Sequence, residues 1–482
     1  EGLDPENEED RKKYANGIVS EFKKRMTNTV RKYNKDCTIF YNAGHIGPAI
    51  RESLDTYTHL ELESLPSGGW GYEHFPITAR FARNLGKEYL GMTGKFHKSW
   101  ADFGGFKNQP ALEYECFMSL AHGAKCSIGD QLHPSGAINK ATYELIGSVY
   151  NQVKEKEAWC DDVEAVTEIA VFTPEAIRND GIRLYPSIQG AYRMLVESHY
   201  QFDIVDEHMD FSKYKVLILP DIITLDAALL NKINSYIENG GKVLLSYKSG
   251  MDREEKEFLL KEAGIKFIGD AKYSPDYVVA GDAVKEGLLD TEYVMYNRGL
   301  WVESSEDTET LAQIWNPYFN RSYKHFCSHF QTPVEKASEY PAIVKKGGIV
   351  YFAHPIFSMY KEHGMKVYKQ LVVNSLKLLL EEKIVETNAP TTAHINLNYQ
   401  PAHDRYIAHI LHYIPERRCN ILDTIEDVIP LYNINLKIKL PKEPVKVYCA
   451  PSMQELNFDY EQNYVKVVVP EVKGHQMVVF EF

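Results

Sequence analysis

The sequence predicts an α/β protein in three parts: the carboxyl-terminal half of a TIM (β/α)8 barrel over 1–160, a doubly wound α/β domain over 161–386, and a small antiparallel β-sandwich over 387–482. Three observations carry that reading. Between 37 and 159, short apolar runs alternate four times with helix-length stretches, and each run ends in polar residues. That is the pattern of parallel βα units whose loops build a site. From 168 to 246 the runs EIAVF, YKVLILP and KVLLS are apolar almost throughout, as strands covered on both faces must be. After 387 only short alternating runs with turn residues remain, the spacing of an antiparallel sandwich.

The chain opens on an acidic, solvated segment, EGLDPENEEDRKK, followed by a helix in which Ile18, Phe22, Met26 and Val30 recur at fours. The run 37–45, CTIFYNAGH, reads as the first barrel strand. The second, within THLELESLPSGGWG (58–71), organises the rest. Strand side chains alternate faces, so His59, Glu61 and Glu63 share one and Leu60 and Leu62 the other. The strand ends at Pro66, and Ser67, Gly68 and Gly69 are expected to form a mobile loop closed by Trp70 and Tyr72. A helix over 77–85 leads to the strand 89–96, which runs into His97, Lys98, Ser99, Trp100 and Asp102. A helix over 113–123, a strand over 124–131 continued by Leu132, His133, Pro134, Ser135 and Gly136, and a long helix over 141–159 follow.

The strand ends therefore deposit Asn42 and His45; Glu61 and Glu63; Lys95, His97, Trp100 and Asp102; and Asp130, Gln131 and His133. Carboxylates at a strand's carboxyl end beneath a glycine and aromatic loop fit a carbohydrate-cleaving site, and exposed edge charges are the plain alternative. A barrel needs eight units in about 250 residues, so four units read as the second half of a barrel whose first half lies outside this chain. A small open α/β sheet is the other possibility, but no Gly-rich phosphate loop gives it a ligand.

In the middle region, 168–172, 202–206, 214–220, 242–246 and 349–353 read as strands; 189–197, 226–238, 256–263 and 367–380 read as helices. Asn239, Gly240 and Gly241 cap the second of these. No nucleophile elbow, P-loop or GxGxxG occurs, so a structural or oligomerising role is expected. The dense stretch 315–329, WNPYFNRSYKHFCSH, reads either as a packed surface loop or as a rim covering an active site in a neighbouring subunit. In the last part the strands are 406–413, 435–440, 445–450, 464–469 and 476–482. His394, His403, His409 and His412 resemble a metal set, but His409 and His412 fall on opposite strand faces. No metal and no cofactor is expected.

The chain has 482 residues, long enough for about three domains. Its formal charge of −13 argues against nucleic-acid or anionic-membrane partners. Aromatic residues reach 12%, with 32 Tyr, which suits both sugar-binding faces and ordinary cores. The seven cysteines are scattered, with no C-x-x-C, so reduced thiols in a cytoplasmic protein are expected. No apolar run is long enough to span a membrane, and no signal-peptide pattern opens the chain.

The motifs THLELESLPSGGWGYEHFP, GMTGKFHKSWADFGGFKN, GDQLHPSG and FNRSYKHFCSHFQTP resemble the α-L-fucosidases of glycoside hydrolase family 151 and their relatives. The layout of half-barrel, flavodoxin-like domain and small β domain resembles family-42 β-galactosidases with their trimerisation domain. The resemblance implies a glycoside or oligosaccharide substrate, a homotrimer, and a nucleophilic Asp after the fourth barrel strand, upstream of Glu1. The β-galactosidase type places its nucleophilic Glu on the seventh strand, where this chain has Lys95 and His97.

The expected chemistry is that of a retaining glycosidase, its two carboxyls about 5–5.5 Å apart. Glu63 is read as general acid and base, and Glu61 as holding a neighbour or raising the pKa of Glu63. His45, His97 and His133 are read as binding sugar hydroxyls, with His59 and Asp130 also lining the substrate. Trp70 and Trp100 are read as stacking on the sugar's apolar face. A β-galactosidase, and a non-catalytic carbohydrate-binding or assembly protein, are the alternatives.

Overall fold

A computed structural model describes residues 2–178 and 180–482. The chain forms two compact units, Glu1–Val163 with Tyr413–Val428, and Glu164–His412 with Ile429–Phe482.

The first unit is built on a parallel sheet of three strands, β1 (His59–Glu63), β2 (Glu88–Gly94) and β3 (Lys125–Gly129), in that order. The helices are α1 (Glu8–Tyr33), α2 (His74–Ala82), α3 (Gln109–Ala121) and α4 (Lys140–Lys156). The expected alternation holds in β1, where Leu60 and Leu62 are buried while His59, Glu61 and Glu63 are half-buried. In α1, the Asn7 side chain accepts from Glu9 N and Asp10 N and caps an acidic first turn, a favourable start beside the positive end of the helix dipole.

Three sequence expectations are corrected here. The run 37–45 is not a strand, so three βα units form and not four; no closed barrel occurs among the described residues. Its bonds to the chain before β1 converge on Thr58, whose backbone N and Oγ1 both donate to Ile39 O at 2.9 Å, while Oγ1 accepts from Ile39 N at 2.8 Å. One side chain thus takes the place of a ladder. Ser67, Gly68 and Gly69 are not a free loop: Pro66–Gly68 is a single 3-10 turn, with Ser67 buried and donating to Phe96 O at 3.2 Å. Residues 413–428, grouped with the sandwich by sequence, belong to the first unit. There the Tyr413 hydroxyl donates to Glu113 Oε2 at 3.3 Å, and Asn108 Nδ2 donates to Ile425 O at 3.4 Å.

The second unit contains a nine-stranded sheet. Its parallel part runs Phe202–Val205, Ile169–Phe172, Val216–Leu219, Lys242–Ser246, Ile349–Phe352, the 2-1-3-4-5 order of flavodoxin-like sheets. Four antiparallel strands, Val334–Lys346, Glu309–Pro317, Asp276–Ala280 and Tyr293–Met295, extend it beyond the fifth. The helix expected over 256–263 is reduced to one 3-10 turn, Lys261–Ala263. The Asp252 carboxylate captures the amides of Lys256 (2.6 Å) and Glu257 (2.9 Å), a local alternative to helical bonds.

The unit also holds a two-stranded sheet, Ile265–Asp270 with Leu300–Ser304, and a four-stranded and a six-stranded antiparallel sheet around a core that includes Leu397, Ile410, Leu436, Val465 and Phe480. His412 is bonded to Thr392 Oγ1 (3.0 Å) and Ile429 O (2.9 Å), whereas His409 stacks on His475, Nδ1 to Nε2 3.1 Å. No helix among the described residues is long and apolar enough to cross a membrane.

Candidate active site

Glu63, Lys95, His97, Trp100, Asp130 and His133 lie at or beyond the carboxyl ends of β1, β2 and β3, whereas His59 opens β1 and His45 precedes it. Paired positions in a parallel ladder share a face, so Glu61 lies beside Leu90, Glu63 beside Met92, and Met92 beside Ser127. This inner face carries both carboxylates. The outer face carries Leu60, Leu62, Gly91 and Thr93 and packs on helices: a Cβ on Gly91 would meet Ser119 Oγ of α3 and the Phe75 ring of α2.

His59 Nε2 stands 3.5 Å from Glu61 Oε1, and the imidazole lies 5.5 Å from the Phe40 ring. Of the two roles expected for Glu61, holding a neighbour has a visible partner. Glu63 is followed by Ser64, whose Oγ is 3.1 Å from His74 Nδ1. The buried His74 ring then gathers two expected residues, Trp70 at 4.8 Å edge-on and His45 at 5.7 Å. Sequence reasoning did not single out His74; its place four residues beyond Trp70, on the first turn of α2, was the available signal.

Trp100 lies across the ends of β2 and β3. A Cβ on Gly94 would come within 2.9 Å of its Cζ3, and one on Gly129 within 2.8 Å. Two glycines at paired positions therefore make the floor on which the indole rests. Trp100 Nε1 and Gln131 Nε2 are buried donors with no acceptor among the described residues. Asp130 is half-buried just past β3. His97 and His133 stand on exposed loops, His133 beside the Phe103 ring at 5.1 Å, so they do not join the cluster around His74.

Beneath β2, on its outer face, lies a polar group that the sequence did not reveal. Lys107 Nζ is 2.5 Å from Glu115 Oε2 and donates to Thr93 Oγ1 at 2.9 Å, and the Thr93 hydroxyl donates to Glu115. Burial pushes the Glu115 carboxyl up against the opposing pull of Lys107, and pushes the Lys107 amine down. Burial, reinforced by the Glu115 charge, holds the Tyr72 hydroxyl well above its usual range. No group of three or more His, Cys, Asp or Glu placed to hold a metal ion occurs among the described residues.

Residues 167–266 match the β-galactosidase trimerisation domain. The β-galactosidase LacA of Lactobacillus acidophilus is 38% identical over 218 residues, covering 42% of this chain and 29% of that protein. The chain thus spans less than a third of the curated relatives it matches. The solved β-galactosidase from Bacillus circulans sp. alkalophilus is 12% identical with a TM-score of 0.69, covering 98% of this chain and 67% of the other, a likeness of fold. The α-L-fucosidase isoenzyme 2 from Paenibacillus thiaminolyticus is 39% identical with a TM-score of 0.95, covering 100% of this chain and 74% of that one. On that likeness along its whole length, the chain belongs to the family of glycoside hydrolase family 151 α-L-fucosidase-like proteins, with a trimerisation domain of the family-42 β-galactosidase kind.

Proposed function

We propose that the protein is an α-L-fucosidase that cleaves terminal fucosyl residues by a two-carboxylate retaining mechanism. The observation that supports it most is the 39% identity, over the whole chain, to the α-L-fucosidase isoenzyme 2 of Paenibacillus thiaminolyticus. In this reading Glu63, on the inner face at the carboxyl end of β1, protonates the leaving oxygen and later activates water. Glu61 holds His59. The attacking carboxylate in this reading is a residue other than Glu63 and Glu61. Trp100 and Trp70 offer aromatic faces to the sugar and its methyl group; His45, His97, His133 and Asp130 serve its hydroxyls. The buried donors Trp100 Nε1 and Gln131 Nε2 suit a hydroxylated ligand. The protein works as a homotrimer, a reading supported by the match over 167–266. A reducing, cytoplasmic setting is part of the same proposal, supported by Cys116 and Cys449 lying buried outside any disulfide.

A β-galactosidase is the second reading, favoured by the 38% identity to LacA over 218 residues. Against it, the tip of β2 carries Lys95 and His97 in place of a carboxylate. The test is hydrolysis of p-nitrophenyl α-L-fucoside and p-nitrophenyl β-galactoside by the full-length protein. A kcat/KM at least a hundredfold higher on the fucoside is expected; a preference for the galactoside overturns the proposal.

A further inference from the structure

Residues 95–107 leave the end of β2 and return to it. The loop is closed at its base, where Lys107 N donates to Lys95 O at 2.9 Å. It has a small centre of its own: Lys95 is buried, its ammonium donates to Asp102 O at 3.2 Å, and the Phe96 and Phe106 rings lie 4.9 and 4.5 Å from it. Between these ties the chain brings Trp100 back over Gly94 and Gly129. Past its base, the Lys107 side chain passes to the outer face of β2 and ends on Glu115 of α3 and on Thr93. Thr93 alternates with Met92, the neighbour of Glu63, so the ion pair and the carboxylate site lie on opposite faces of one strand.

Burying two charges is expensive, and apolar side chains would fill the same volume without that cost. What apolar side chains lack is directionality: a 2.5 Å ion pair with a second bond to Thr93 ties the loop end to one point. We infer that Lys107 and Glu115 are positioning residues, which fix the 95–107 loop so that the Trp100 indole rests on the Gly94 and Gly129 floor at the height a sugar ring requires. The inference rests on the reading of Trp100 as the sugar's platform.

The experiment uses the full-length protein with Lys107→Met, Glu115→Leu and the double variant. Tm, kcat and KM on p-nitrophenyl α-L-fucoside are measured, with acrylamide quenching of Trp100 taken as the difference from Trp100→Phe in each background. Each single variant strands a buried charge or leaves its partner alone, and Tm is expected to fall. The double variant is expected to regain most of that Tm. It should stay at least tenfold down in kcat/KM, mainly through KM, with Trp100 quenched at least twofold more readily. A double variant with recovered Tm and unchanged Trp100 quenching overturns the inference, and so does raised quenching with wild-type kcat/KM. If the double variant does not fold, Thr93→Val, which removes the hydroxyl shared by both charges, carries the same readouts with the same two overturning results. A wild-type protein inert on the fucoside refutes the functional reading instead, and Trp100 quenching still decides whether the pair anchors the loop.

Discussion

At the scale of single residues, Glu63 and Glu61 occupy equivalent positions two residues apart on one strand face, yet their surroundings differ. Glu61 is engaged with His59 at 3.5 Å. Glu63 is the residue nearer the strand's carboxyl end, where Ser64, His74 and Trp70 gather. A general acid matters in proportion to the basicity of the leaving group, and its loss costs about a hundred- to ten-thousandfold. Glu63→Gln is therefore expected to cripple hydrolysis of a sugar–sugar bond while sparing the first step with a nitrophenyl or fluoride leaving group. Glu61→Gln should lower both substrates together, because a residue that holds His59 is indifferent to leaving-group basicity. The ratio of kcat/KM on the two substrate types checks both variants. A split shown by Glu61→Gln alone reverses the assignment; if neither shows one, Asp102 and Asp130 become the next candidates.

At the scale of elements, close approaches decide which substitutions the second unit tolerates. The helices Pro186–Glu197 and Ile356–His363 meet at Gly190, where a Cβ would stand 1.9 Å from the Phe357 carbonyl oxygen. The second helix cannot easily retreat. The buried Asp221 carboxylate accepts from Ser358 N at 2.7 Å and Ser358 Oγ at 2.6 Å and so holds its first turn. Gly190→Ala gains about 1 kcal/mol of helix propensity and forces an overpacked contact costing roughly 3 kcal/mol. The clash wins, and a net loss of about 2 kcal/mol is expected, visible as a lower urea midpoint. A midpoint at or above wild type would show that the helices separate freely.

At the scale of the whole molecule, the flavodoxin-like sheet has chemically silent strands. Its five parallel members are buried along nearly their whole length. The loop at 318–333 on its antiparallel extension exposes Tyr323, Phe326 and Phe330 among charged residues. With residues 167–266 matching a trimerisation domain, the full-length protein is expected to give three times the protomer mass in light scattering at micromolar concentration. A monomer there refutes the proposed homotrimer.

Local pattern was enough to determine the alternating faces of β1, the parallel strands of the second unit and the helix over 226–238. Strand alternation and unbroken apolarity are read within a few residues of chain. The helix read over 226–238 forms, and Asp226 caps it by accepting from Leu229 N at 2.9 Å. What local pattern misjudged were competitions between a segment and a distant or irregular partner. The apolar run 37–45 meets the Thr58 side chain where a strand would need a ladder, and 256–263 loses its helix to the Asp252 carboxylate. Of the candidate site, the residue types at the strand ends were legible, but their grouping was not. His45, Trp70 and His74 converge through ring contacts, Trp100 settles where two glycines leave room, and Lys107 finds Glu115 on the far face of β2. Each of these depends on elements brought side by side by the sheet and on volume that only the packed structure defines, and sequence spacing carries neither.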